Sequence, residues 1–168
     1  MKPEPRERPL IRPMGTEDFA TFWPVFRAIV QARDSYAIDP DIGFEAARSH
    51  WLEHPLETRA AFIGDRLAGS YYLKANFDGP ADHIGNCGFM VDPRFRGRGI
   101  AHAMAEEALV RARQAGFSAL QFNLVLASNA PALHLWRSLG FAEIGRIPDA
   151  YRHRDLDQVD ALVMYRRL

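Results

Sequence analysis

The stretch "VDPRFRGRGIAHAMAEE", Val91 to Glu107, sets two glycines and three arginines between an apolar run and a helical pattern. The apolar run "HIGNCGFMV" stops at Asp92-Pro93 and reads as a strand end. From Gly99 onward, Ile100, Met104, Ala108 and Ala112 share one helical stripe, which Gly116 stops. A glycine turn between strand and helix lies at a helix N-terminus, where amides lack partners and the macrodipole is positive. An anion is favoured there. Gly97 and Gly99 can take positive φ and carry no side chain to obstruct a pyrophosphate. Arg94, Arg96 and Arg98 add charge, but the amides make the cradle. A solvated turn is the alternative. An RNA-binding Arg-Gly segment fits less well, because such segments repeat in low-complexity context. The turn is neither a nucleotide P-loop, which needs Lys-Ser/Thr after its last glycine, nor a dinucleotide fingerprint, whose third glycine is missing.

The bulk properties agree with a local site. The chain of 168 residues suffices for one domain with a real core. Its 48% apolar and 25% charged residues are those of an ordinary globular protein. Basic and acidic residues balance at 21 each, so no global field draws nucleic acid or an anionic membrane. The single cysteine, Cys87, excludes an intramolecular disulfide framework and reads as a small core residue in a reducing compartment. "MKPEPRERP" lacks an apolar core of signal-peptide length, and no run approaches a membrane span. The expectation is a cytoplasmic protein with a flexible arm over 1–9 and one domain over 10–168.

Outward from the glycine turn, periodicity supplies the other elements. "LIRPM" is a short strand. Thr16 is expected to cap a helix to about Arg33, with Phe19, Phe22, Trp23, Phe26, Ile29 and Val30 on its apolar face and Pro24 as a potential kink. A second helix is expected around Phe44 to Glu53. "AAFIGDRLAGSYYLKANF" reads as a hairpin turning at Gly-Asp-Arg. In "SALQFNLVLA", Leu120, Phe122, Leu124 and Leu126 alternate with Gln121, Asn123 and Val125. A helix from Ala130 to Leu139 buries Ala132, Leu135, Trp136 and Leu139, and "FAEIGRI" and "VDALVMYRRL" close the chain as two strands. The order β-α-α-β-β-β-α-β-α-β-β implies an α/β (α+β) fold around a mostly antiparallel sheet, with about four helices and an open edge suited to a homodimer.

Arg94-x-x-Gly97-x-Gly99 after "FMVDP", followed by "SNAPALHLWRSLGF", resembles the GNAT superfamily of acetyl-CoA-dependent N-acetyltransferases, from about Leu10 to Leu168. The resemblance implies the GNAT fold, a twisted sheet splayed between its fourth and fifth strands with acetyl-CoA in the gap. It implies that amides from Arg96 through Gly97, Arg98, Gly99 and Ile100 to Ala101 hold pyrophosphate. Backbone near Met90 and Val91 would pair with pantetheine and supply the oxyanion donor, and Asn129 would contact the cofactor. The motifs "NCGFMV", "FNLVLASNAPALHLWRSLGF" and "GRIPDA" look similar to acetyltransferases of proline analogues such as L-azetidine-2-carboxylate. There a tryptophan also occupies the Trp136 position, and asparagines matching Asn86 and Asn123 hold the substrate.

The chain departs from the wider family at Trp136, where a tyrosine commonly protonates the departing thiolate. An indole N–H donates a hydrogen bond but has no useful acidity. Neither Tyr151 nor Tyr165 is assigned that role by sequence. Asn123 interrupts an apolar strand, where an unpartnered buried amide costs about 1–3 kcal/mol, and Asn86 sits mid-strand, where Asn is disfavoured. These two are the candidate substrate-handling and catalytic residues. Tyr36 and Phe44 are candidates for lining the acceptor pocket, and Trp136 for touching the substrate. Asp34, Glu45 and Asp160 are candidate bases, whereas His83, His102 and His134 read as exposed or structural. Ser128 has no triad partners, and no Cys/His cluster has metal-ligand spacing. Three readings stay open: an N-acetyltransferase for a small amine or amino acid, including cyclic imino acids; a protein N-terminal or lysine acetyltransferase; and a non-catalytic acyl-CoA-binding module.

Overall fold

The computed structural model describes residues 7–168; the first six residues of the expected arm lie outside the described residues. Seven strands form one sheet in the order β1-β2-β3-β4-β5-β7-β6. They are β1 Leu10–Pro13, β2 Glu57–Ile63, β3 Arg66–Ala75, β4 Ile84–Val91, β5 Ala119–Leu126, β6 Ala142–His153 and β7 Asp157–Arg167. The α-helices are α1 Thr16–Ala32, α2 Phe44–Arg48, α3 Ile100–Gln114 and α4 Ala130–Ser138. The element order, the splay and the four helices match the sequence reading. Among the described residues no helix is long and apolar enough to cross a membrane.

Every strand pair is antiparallel except β4–β5. That parallel pair holds for two rungs, Ile84 with Ala119 and Gly85 with Leu120, and then the strands part. Gly85 lets the two strands meet closely at the vertex, since a Cβ there would stand 2.8 Å from the Leu120 side chain and 3.1 Å from the Phe117 ring, which would have to move aside. Beyond it an aromatic pile props the gap open. Trp136 lies 5.0 Å from Phe89 and 4.7 Å from Phe122, and Phe141 stacks on Phe122 at 4.5 Å between centroids.

Two cores flank the sheet. Cys87, Phe89 and Val91 of β4 join the core under α3 and α4, with Met104, Ala108, Leu120 and Trp136. Met90 and Tyr72 join the aromatic core under α1 and α2, with Phe19, Phe26 and Trp51. The two-residue alternation of a strand makes this division.

Several local expectations are corrected. Gly15, not Thr16, caps α1, because the Asp18 carboxylate reaches back 2.8 Å to its amide and is itself held by Arg12. Pro24 lies within a continuous α1. The second helix ends at Arg48 and continues to Glu53 as a π-turn. In β5 the register against β7 shifts between Phe122 and Val125, so Val125 is buried and Leu124 is only half-buried. On α4 the fully buried residues are Leu133 and Trp136, with Ala132, Leu135 and Leu139 packed at the margin.

Gly88 admits the Tyr72 ring, which a Cβ would meet at 2.5 Å. Gly88→Ala should therefore cost about 1–3 kcal/mol of stability through overpacking, measured by chemical denaturation. Tyr72→Leu in the same chain should recover much of that loss. A Gly88→Ala chain as stable as the parent would contradict the packing.

Candidate active site

A cavity of about 970 Å³ runs along the splay. At one end it meets the glycine turn. Gly97 and Gly99 have φ of 75° and 82°, and a Cβ on either would meet nothing within 4 Å. Gly99 caps α3, whose first turn contains no acid. Free amides at the positive end of a helix of 15 residues, facing open space, fit a pyrophosphate. Arg96, Gly97, Gly99, Ile100 and Ala101 line this end.

Arg98 does not line it; its guanidinium lies 5.3 Å from the centre of the Phe95 ring. Arg94 turns back on Asp92, donating to its carboxylate at 2.6 to 3.1 Å. Burial opposes the Asp92 charge, but the bonds from the Arg94 side chain and amide prevail and hold the carboxyl below its usual range. Asp92 thus braces the turn, and the arginines contribute less than the amides.

The middle of the cavity is the open edge of β4. Ile84 accepts from the Asn76 amide, and Asp92 donates to Ala68, so the even-numbered backbone groups face β3. Alternation then turns the odd-numbered groups toward the gap. The Phe89 amide confirms this by donating to the Tyr36 hydroxyl at 2.8 Å, while the Phe89 carbonyl accepts from the same hydroxyl. Val91 and Phe89 therefore present backbone to the gap. Met90 lines the cavity, but its own backbone belongs to the β3 ladder.

The far end holds a cluster of amides. Asn86 Nδ2 donates to the Gln121 carbonyl at 3.0 Å, a side-chain rung at the point where the parallel ladder stops. It also donates to Asn76 Oδ1 at 3.1 Å. Asn76 and Asn123 exchange amide bonds at 3.1 and 2.6 Å, and Gln121 donates to Asn123 Oδ1 at 3.0 Å. The structure brings Asn86 and Asn123 together through Asn76, a residue that sequence reasoning missed. Asn123 is exposed rather than buried, because it sits in the β5 register shift. Asn129 also lines the cavity; its Oδ1 accepts from Ala132 at 3.2 Å and caps α4, which leaves Nδ2 as its donor.

Trp136 lines the cavity but is 7% exposed and wedged in the aromatic pile. Phe44 does not line it, being packed on Phe19 and Trp23. Of the carboxylates named as bases only Asp34 lines the cavity; Glu45 pairs with Arg48, and Asp160 with Arg146. His102 lies at the glycine-turn end, whereas His83 and His134 lie outside. His50 and His153 line the cavity and were not singled out by sequence. Tyr151 donates to the Tyr36 carbonyl at 3.0 Å and so ties the loop after α1 to β6. Burial pushes the Cys87 thiol up, in keeping with an inert core cysteine. Among the described residues no group of His, Cys, Asp and Glu could hold a metal ion.

An anion-accepting turn, an unpaired strand edge and a polar amide cluster thus share one gap. The sequence model of the acetyltransferase (GNAT) family matches residues 19–141. The chain belongs to this family. A GCN5-related N-acetyltransferase from Kribbella flavida superposes with a TM-score of 0.92 at 37% identity, covering 96% of this chain and 99% of that one. The yncA protein of Salmonella typhimurium, solved with acetyl-CoA, shares the fold at a TM-score of 0.80 and 17% identity, over 95% of this chain and 94% of that one. The N-acetyltransferase aca1 of Schizosaccharomyces pombe is 42% identical over 86 residues, 51% of this chain and 41% of that protein. The chain thus matches less than half the length of the curated relatives.

Burial, with help from Lys74 and His54, lowers the His50 pKa, so the ring stays neutral in the folded protein near neutral pH. The unfolded chain binds that proton more readily, at the ordinary value of about 6.5. The stability this neutral ring confers is complete above the ordinary value and is lost as pH falls below it. The melting midpoint should fall more steeply from about pH 7.5 to about pH 5 in the parent than in His50→Gln. Equal slopes would contradict the burial of His50.

Proposed function

We propose that this GNAT protein is an acetyl-CoA-dependent N-acetyltransferase acting on a small amine or amino acid, with cyclic imino acids such as azetidine-2-carboxylate among its acceptors. The observation that carries this reading is the continuity of one cavity from the glycine turn, past the open β4 edge, to Asn86, Asn123 and His50. A donor entering at the turn and a small acceptor entering by the amides would meet at the splay.

The proposed chemistry is direct attack of a neutral amine on the thioester. The amine must first lose a proton, and His50, neutral and half-buried, suits that task better than Asn123, which accepts only through its carbonyl. The backbone N–H groups of Phe89 and Val91 offer donors for the oxyanion. Trp136 supplies no proton, but a thiolate is a weak base, a cysteine thiol having an ordinary pKa of about 8.5, and needs little help to leave. Asn123 Nδ2 gives one N–H to Asn76 and keeps one to donate to a carboxylate beside the amine, the arrangement found in an amino or imino acid, while Asn86, whose two N–H groups hold Asn76 and the Gln121 carbonyl, offers its Oδ1 as an acceptor. The loop residues Asp34 to Ile38, fixed by Tyr36 on β4 and by Tyr151 on β6, line the cavity.

Acetyl-CoA should raise the melting temperature, and free thiol should appear when azetidine-2-carboxylate or a panel of small amines is added. Binding without turnover on any amine would favour an acyl-CoA-binding module; turnover confined to peptides would favour a protein acceptor. The absence of both binding and turnover would sink the reading. Gly99→Ala projects a methyl into the open space the cradle amides face and holds a non-glycine residue at positive φ, a strain of about 1–2 kcal/mol. It should weaken acetyl-CoA at least tenfold by calorimetry while the chain remains folded. Undiminished affinity would remove the cradle from the site.

A further inference from the structure

Trp136 leaves this chain without the side-chain O–H that many relatives aim at the thioester from α4. Another hydroxyl already stands in the gap. The Tyr36 oxygen takes the Phe89 amide at 2.8 Å and donates to the Phe89 carbonyl. By strand parity these are the β4 groups that open toward β5, so an acyl oxygen bound at the Phe89 N–H must share or displace this hydroxyl. The other hydroxyls of the cavity are placed differently. Tyr72 lies beneath Gly88, Ser128 sits beside the Asn129 cap of α4, and Ser35 precedes Tyr36 in the loop.

The geometry points to Tyr36 as a catalytic residue: with acetyl-CoA bound, its hydroxyl leaves the Phe89 carbonyl and, together with the Phe89 N–H, donates to the oxyanion formed by amine attack. This assignment rests on the acetyltransferase reading above. The step is balanced without any change in Tyr36. The amine lone pair forms the C–N bond as the carbonyl pair moves to oxygen, where two hydrogen bonds hold it. The C=O then re-forms, the C–S bond breaks, and its pair leaves on sulfur. The proton lost by nitrogen passes to solvent or His50. Tyr36 keeps its proton throughout.

Its surroundings suit a donor that never ionises. Burial, reinforced by the neighbouring Tyr72 and Cys87, pushes the phenol far above its usual range, outweighing the Phe89 bond. The ring is fixed edge-on against Trp51 at 6.1 Å, and the Tyr36 carbonyl is held by Tyr151 at 3.0 Å. To let both groups donate to one oxygen, the hydroxyl must draw back from the amide, to which it is directly bonded at 2.8 Å. In the ligand-free protein it occupies the donor and keeps it satisfied.

Tyr36→Phe keeps the ring and removes the hydroxyl. Loss of one such donor should lower kcat by about 10²–10³-fold, with the acceptor KM within about threefold and acetyl-CoA affinity, by calorimetry without acceptor, equal to or tighter than the parent's. Affinity holding or rising while turnover falls is the signature; a merely structural tyrosine would lose affinity, acceptor KM and melting temperature together. A second readout needs no acceptor. The carbonyl stretch of bound [1-¹³C]acetyl-CoA should lie at lower frequency in the parent than in Tyr36→Phe. Should Tyr36→Phe fold poorly, 3,5-difluorotyrosine at position 36 keeps the hydroxyl, lowers its pKa and should introduce a loss of kcat at alkaline pH. Turnover by Tyr36→Phe within threefold of the parent, or an unshifted carbonyl band, overturns the assignment of Tyr36 alone. A parent that turns over no amine overturns the acetyltransferase reading, and the infrared comparison still decides Tyr36.

Discussion

The site depends on one interrupted ladder. β4 and β5 pair for only two rungs, and the third position is bridged by the Asn86 side chain donating to the Gln121 carbonyl. Past that point each strand carries backbone groups that water or a ligand must satisfy, because buried orphan amides are costly. An aromatic pile of Phe89, Phe122, Trp136 and Phe141 keeps the strands from closing on one another. The fold therefore maintains an open sheet edge inside the molecule, and this edge is what a thioester arm can pair with.

Two braces hold the surroundings of that edge. The glycine turn is fixed by Asp92, buried at 1% exposure and bonded to the amide and guanidinium of Arg94. On α3, Arg111 binds Glu57 of β2 at 2.7 Å, and Glu107 lies 2.7 Å from Arg59. Burial raises the Glu107 pKa although Arg59 and Arg111 favour its charge, so this pair is partly desolvated and its geometry matters more than its net stabilisation. Together the braces set where the α3 N-terminus points. On the opposite side, the loop after α1 is tied by Tyr36 to β4, by Tyr151 to β6 and by the Arg154 amide to Arg33.

The parts legible in the sequence were those written in local periodicity. The stripe on α3, the Gly97/Gly99 turn and the hairpin needed only neighbours along the chain. Expectations failed where a distant partner decided the outcome. Asp18 takes the cap from Thr16 because Arg12 holds its carboxylate. The β5 shift moves Val125 inward, which strict alternation could not foresee. Asn76 carries no pattern of its own, yet lies 47 residues from its partner Asn123. His50 sits on a π-turn, whose period differs from the helix expected there. A sequence reading aware of polar residues at strand ends could have flagged Asn76; nothing local marks His50.

The parity of β4 also divides the labour of the site. Odd positions send side chains to the α3–α4 core and backbone to the gap, where a donor's arm would lie. Even positions send side chains to the α1–α2 side, so Asn86 shares that side with Tyr72, and Gly88 opens the space that the Tyr72 ring fills. One strand thus presents two different surfaces by its two-residue period alone. Backbone contacts tolerate changes of side chain, whereas contacts made by side chains do not. A donor held through Phe89 and Val91 is consequently insensitive to substitutions that re-aim Asn86 or its neighbours, and the acceptor side can vary without disturbing the cradle. The same logic explains why the glycine turn points to the family while leaving the acceptor open: the cradle is made of amides common to every chain, whereas Asn76, Asn86 and Asn123 are brought together only by folding.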